Sequence, residues 1–168
     1  GNNIGFKYSS GEYIILLNND TCVPTDYISN FVGVFKNIPN CSIAQSKIVL
    51  LEDTKKLDSA GSFWTDYTML YHVGFGKNQK DVKYNKPYQI FSAKGASMII
   101  KSSVIEDIGL FDDSFWCYYE ESDFCHRALN KGYLTYYYPN ATCYHHMGAT
   151  SKSFNSSYVF YHTTKNRI

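Results

Sequence analysis

The sequence predicts one α/β domain built on a mixed, mainly parallel sheet flanked by helices. Short runs of aliphatic, β-branched and aromatic residues alternate along the chain with segments whose apolar residues recur at helical spacing. Gly, Pro and Asn turns separate these segments, and no repeat, low-complexity tract or linker divides the 168 residues. A chain of this length buries roughly two-thirds of the surface its unfolded form exposes, so neither disulfides nor a metal is needed to hold its core.

The elements follow in order. Tyr13 to Leu17 reads as a buried strand, and Asn18-Asn19-Asp20-Thr21 as the loop at its C-terminal end. Ile28, Phe31, Val32 and Phe35 stand at i, i+3, i+4 and i+7 behind Pro24, Thr25 and Asp26, which predicts a helix with these four on its core face. Ile43 to Leu51 reads as a strand, Phe63 to Phe75 as a hairpin punctuated by glycines, and residues 77 to 88 as loop. Ala96 to Ile100 is a strand; Ser103-x-x-Glu106 predicts a capping box for a short helix that Gly109 ends. Ser122 to Lys131 suits a helix with Phe124, Cys125, Ala128 and Leu129 inward and Gly132 as its stop. Tyr133 to Tyr138 returns as a strand, Pro139-Asn140 turns the chain into a short further strand ending at His145, and Tyr158 to Ile168 predicts a final helix.

Composition narrows the function. With a net charge of +1 and 18% charged residues, the chain has no extended basic surface for nucleic acid. Five cysteines without C-x-x-C spacing argue against a disulfide framework and against structural zinc, and fit a reducing cytoplasm. The longest apolar runs fall far short of the ~18 residues of a membrane span, and the first residues lack the basic and apolar regions of a signal peptide.

Three polar groups stand at strand ends, where open α/β sheets place their ligand crevice. Asn18 and Asp20, two apart on extended backbone, project to one side and offer oxygens to a hard cation, although a simple turn accounts for the same residues. Glu120, Glu121 and Asp123 lie at a helix start, where one acid suffices for the dipole and Asp123 can pair with Arg127; three together behind Phe115-Trp116 repel one another and point to a general base. His145-His146 follows a strand, so at most one of the two imidazoles reaches the site. Gly95, before Ala96, marks either close backbone approach to a ligand or a plain strand-entry turn.

These segments together resemble the family 2 inverting glycosyltransferases, in particular their rhamnosyltransferase-like branch. The resemblance rests on Gly11-Glu-Tyr-Ile-Ile-Leu-Leu-Asn-Asn-Asp-Thr21, then Lys94-Gly-Ala-Ser-Met-Ile-Ile, Gly109-Leu-Phe-Asp112, Tyr119-Glu-Glu-Ser-Asp-Phe-Cys-His-Arg127, and Pro139-x-Ala141 leading to His145. It implies a GT-A-like fold lacking its first N-terminal strands, so that residues 1–168 form a single, N-terminally truncated catalytic domain. The resemblance further implies Mg²⁺ or Mn²⁺ as cofactor, held by Asp20 and His145. Asn18, Asn19 and Asp20 would face the diphosphate of a nucleotide-diphospho-sugar donor. Glu121 would be the catalytic base, at a position where the family usually carries Asp. Gly95, Ala96, Glu120 and Asp123 would lie on the side of a glycan or lipid-linked acceptor. The implied enzyme is a metal-dependent hexosyltransferase of bacterial surface polysaccharide biosynthesis, cytoplasmic, with a lipid-linked acceptor placing it at the inner face of the membrane. Two other functions fit the same residues: a partial domain that binds nucleotide or glycan without catalysis, and a metal-dependent phosphoesterase.

Overall fold

The computed structural model describes residues 1–67, 69–148 and 156–167. Helix α1 (Asn2–Lys7) precedes strand β1 (Tyr13–Leu17), and a turn leads to the two-residue strand β2 (Thr21–Cys22). Then come α2 (Tyr27–Asn37), β3 (Cys41–Leu50), β4 (Leu57–Ser59), β5 (Ser62–Trp64), β6 (Leu70–His72) and β7 (Tyr88–Ile90). The second half holds β8 (Ser97–Lys101), α3 (Ser102–Ile108), α4 (Glu120–Asn130), β9 (Leu134–His145) and α5 (Ser156–Lys165).

The central sheet runs β1-β8-β3-β9-β2, with β4 on β3 and β7 on β9, while β5 and β6 form a separate hairpin. It is mixed, as expected, but it is not mainly parallel. Among the strand pairs of this sheet in the described residues, β3 and β9 alone are parallel; β8, which inserts between β1 and β3, is antiparallel to both, and β2, β4 and β7 fold back against their neighbours. The principal strands β1, β3 and β9 nonetheless share one direction, and Leu17 and His145, the last residues of β1 and β9, come out on the same side of the domain.

Burial sorts the strands onto two faces. On one, Tyr27, Phe31 and Val34 of α2 pack on Ala44, Ile99, Tyr138 and Cys143. On the other, Val104, Ile105, Phe124, Cys125 and Ala128 of α3 and α4 cover Ile14, Leu16, Ile43, Met98 and Ile100. The inward face of α2 differs from the expected stripe in that Ile28 points outward, 64% exposed, and Tyr27 and Val34 take the buried positions. Leu129 is also at the surface. The Ser103/Glu106 capping box does not form: α3 begins at Ser102 on Lys101, with no side-chain cap, because it follows β8 without an intervening loop. Gly109 ends it at φ 72°, a left-handed conformation that glycine adopts without strain.

The strand expected to turn at Pro139 is continuous. The parallel ladder steps from Ser46 opposite Tyr138 to Lys47 opposite Thr142, so residues 139–141 are set aside as a bulge and β9 runs on to His145. A proline, which cannot donate to a ladder, is tolerated where the ladder is interrupted.

Candidate functional site

Short local interactions place each wall of the site. After β1 the Asn18 amide bonds the Ala96 carbonyl at 3.2 Å, which fixes the β1 and β8 ends together. The chain then turns, with the Thr21 hydroxyl donating to the Asn18 carbonyl at 2.6 Å, and enters β2. The pairing of Thr21 with His145 and the bond from the His146 amide to the Asp20 carbonyl at 2.9 Å set Asp20 beside the end of β9. Asp20 Oδ1 lies 3.4 Å from His145 Nε2. His146 faces away, toward Glu52.

The opposite wall comes from the loop before α4. Trp116, Tyr118 and Tyr119 all adopt positive φ (61°, 65° and 72°), a conformation costly for non-glycine residues, so this loop is held under strain. The Tyr119 ring stacks on Trp64 at 5.8 Å, and the Asn166 amide donates to the carbonyls of Phe115, Cys117 and Tyr118 at 2.8, 2.8 and 2.9 Å. Glu120 and Glu121 follow at once, in the first turn of α4. The Gly95 amide reaches Glu121 Oε1 at 3.5 Å, and a Cβ added at Gly95 would meet Glu121 only at ordinary contact distance; the glycine sits at the turn entering β8.

An open cavity of about 630 Å³ lies between these walls, lined by Asn18, Asn19, Asp20, Gly95, Ala96, Glu120, Glu121 and His145. Asp123 does not line it. Its carboxylate binds Arg127 Nε at 2.8 Å, and the guanidinium in turn donates to the carbonyls of Ile108 and Leu110, so this pair ties α4 to the turn before it instead of facing an acceptor. Both Glu120 and Glu121 reach the cavity, so position alone does not separate them.

Among the described residues, three buried carboxylate oxygens around the cavity have no hydrogen-bond partner: Asp20 Oδ1, Glu120 Oε2 and Glu121 Oε2. Burial, joined by the charge of Glu121, pushes the Glu120 carboxyl up to about 7. Burial also raises Glu121, against the pull of its own amide, the Gly95 amide and the Lys94 charge. A carboxyl raised in the folded state stabilises the fold below its unfolded value, about 4.3, and that contribution is lost as pH rises through about 7. The Glu120 contribution therefore declines as pH is raised from about 5 to about 8, and Glu120→Gln removes that part of the pH dependence of the melting temperature in metal-free protein. Equal slopes in thermal melts of the two proteins would show that Glu120 is ordinary in the fold.

Asp20 and His145 fit two positions of a divalent ion. Two ligands of one octahedral ion stand about 3 Å apart, close to the separation seen, and an unpartnered carboxylate oxygen beside an imidazole nitrogen suits Mg²⁺ or Mn²⁺. Among the described residues no third His, Cys, Asp or Glu completes a protein cage, so the remaining positions fall to water or to a ligand's own oxygens.

Three residues missed in the sequence support this site. Asp58 of β4 is fully buried; its Oδ2 lies at hydrogen-bond distance, 2.6 Å, from His145 Nδ1, and Lys94 Nζ lies 2.6 and 2.8 Å from its two oxygens. Gln45, also fully buried, accepts from the Lys94 amide at 2.8 Å. The available signal was Asp58 itself, an acid within the small and apolar run Leu57-Asp-Ser-Ala-Gly61, since a charge in such surroundings needs a partner. Among the described residues no helix is long and apolar enough to cross a membrane.

Comparison with known proteins agrees with this architecture. A crystal structure of GalNAc-T7 with UDP, GalNAc and Mn²⁺ superposes with a TM-score of 0.65 at 16% identity, over 86% of this chain and 29% of that one, which establishes a shared GT-A fold. The low-salt glycan biosynthesis hexosyltransferase Agl10 of Haloferax volcanii is 28% identical over 173 residues, covering the whole of this chain and 54% of that protein. The chain thus spans about half the length of this curated relative. Residues 13–158, which contain every wall of the cavity except Asn2, match the family model described as glycosyl transferase family group 2. On that match, the chain belongs to glycosyl transferase family group 2.

Proposed function

We propose that this chain carries the catalytic site of a metal-dependent, inverting hexosyltransferase that moves a sugar from a nucleotide-diphospho-sugar to a hydroxyl of a glycan or lipid-linked acceptor, of the kind assembled into surface polysaccharides. The observation that carries the reading is the pairing of opposite walls: Asp20 with His145 on one, the buried Glu121 carboxylate on the other, and one open cavity between them.

Asp20 Oδ1 and His145 Nε2 would hold the cation, and Asn18 and Asn19, exposed at the rim, would face the diphosphate. A divalent ion bound there supplies charge neutralisation for the departing nucleoside diphosphate. Glu121 accepts the acceptor hydroxyl's proton, its carboxylate held in place by the Gly95 amide at Oε1. The hydroxyl oxygen forms the new bond to the anomeric carbon, the bond from that carbon to the phosphate oxygen breaks, and its electron pair leaves with the diphosphate. Attack opposite the leaving group inverts the anomeric centre.

Incubation of the whole protein with nucleotide-diphospho-hexoses, glycan acceptors and Mn²⁺ should yield a glycoside of inverted configuration by NMR, and a chelator should abolish it. Nucleotide bound without turnover would establish the non-catalytic domain instead, and release of phosphate from an ester would establish the phosphoesterase.

A further inference from the structure

Asp58 stands behind the site and does not line the cavity, yet it is the most tightly engaged carboxylate near it. It is fully buried, 2.6 Å from His145 Nδ1, with Lys94 Nζ at 2.6 and 2.8 Å. Paired with the Lys94 ammonium, the Asp58 carboxylate is an acceptor, so with the ring neutral His145 donates from Nδ1, leaving the Nε2 lone pair toward Asp20 Oδ1 and the cavity. Lys94, on the other side of the same carboxylate, continues into Gly95, whose amide meets Glu121. One buried group thus joins the end of β9 to the segment that meets the other wall.

We propose that Asp58 is a positioning residue: it fixes the His145 imidazole in the Nδ1–H form, with Nε2 directed at the metal position, and ties it through Lys94 to the Glu121 side of the cavity. The inference rests on the reading of His145 as a metal ligand only for its consequence for metal binding; the ring's tautomer is independent of it. Partners of this kind, hydrogen-bonded to a ligating histidine, set ring orientation and basicity, and their loss lowers metal affinity about 10- to 100-fold.

The decisive test is the tautomer of His145 in ¹⁵N-histidine-labelled, metal-free protein, read from long-range ¹H–¹⁵N correlations at a pH where the ring is neutral. The native protein is expected to show Nδ1–H, and a native Nε2–H ring would overturn the proposal without any variant. In Asp58→Asn the single amide oxygen is taken by the Lys94 charge and the amide N–H faces the ring, so His145 is expected to shift toward Nε2–H. Mn²⁺ affinity in the presence of UDP, followed by electron paramagnetic resonance, should fall about 10- to 100-fold in the same variant. An unchanged tautomer or an unchanged affinity in folded Asp58→Asn, alongside a loss in His145→Gln, would overturn the positioning role. An unchanged affinity in His145→Gln would instead overturn the metal-ligand reading, leaving the tautomer result to decide the role of Asp58.

Discussion

Glu121→Gln lowers the rate of sugar transfer by about 10²–10⁴-fold, the range that general-base catalysis contributes, with nucleoside diphosphate binding retained. The expectation follows from the division of labour between its two oxygens. Oε1 lies 3.5 Å from the Gly95 amide, and among the described residues Oε2 has no hydrogen-bond partner, which leaves one oxygen anchored and one without a bond that competes for a proton. Glutamine keeps the shape and the Gly95 contact but cannot accept the proton. Glu120 supplies the control, because it too is buried with an unpartnered oxygen and a raised carboxyl. Burial raises both carboxyls, and among the described residues Glu121 is the one of the two whose carboxylate is held by the Gly95 amide, which fixes it in place at the cavity wall. Glu120→Gln should therefore cost less than Glu121→Gln when kcat and UDP binding are measured in parallel. If Glu120→Gln is the variant that stops turnover, the base belongs one residue earlier.

How much of this was legible in the sequence depends on the range of the interaction. The strand at Tyr13–Leu17 emerges with its expected bounds because its five consecutive apolar residues and the polar turn after it are local signals. The helix at 27–37 was legible in place but not in rotation: Ile28, Phe31, Val32 and Phe35 satisfy the period, yet the sheet selects Tyr27, Phe31 and Val34, since Tyr27 reaches Ser97 through its hydroxyl. Pro139 reads as a turn in isolation and becomes a bulge only because β3 supplies a parallel ladder to resume at Thr142. Helix α1 offers six residues with two glycines nearby and no apolar stripe, and its anchor is a reciprocal pair of bonds between the Asn3 amide and the backbone of Phe111, more than a hundred residues away. The site divides in the same way. Asp20, Glu121 and His145 announce themselves at strand and helix ends, whereas Asp58, Gln45 and Lys94 matter through bonds across 36 to 87 positions; the run around Asp58 signals that a partner is needed, but no local pattern says which.

The same long-range logic leads from the end of α5 to the loop before α4. Asn166 is buried, and its Nδ2 spreads two protons over the carbonyls of Phe115, Cys117 and Tyr118. These carbonyls belong to the loop in which Trp116, Tyr118 and Tyr119 hold positive φ, each costing about 1–3 kcal/mol that the surroundings must offset. The Trp64 ring under Tyr119 supports one end, and the bond of 2.6 Å from Trp116 Nε1 to the Tyr158 hydroxyl supports the other. Asn166→Ala removes the central support and leaves three acceptors to be satisfied by water, so the loop is expected to relax toward negative φ in place of keeping its strain. Its far end is Tyr119, which directly precedes Glu120 and Glu121, and a displacement of about 1 Å in a group positioned for proton transfer costs on the order of 10² in rate. The variant should therefore lose kcat by about 10²-fold, keep its affinity for Mn²⁺ and nucleoside diphosphate because Asp20 and His145 lie on the opposite wall, and show faster amide exchange in residues 115–119. An unchanged kcat with faster exchange would mean that the loop's strain does not position the carboxylates. Unchanged exchange would mean that Trp64 and Tyr158 hold it without Asn166.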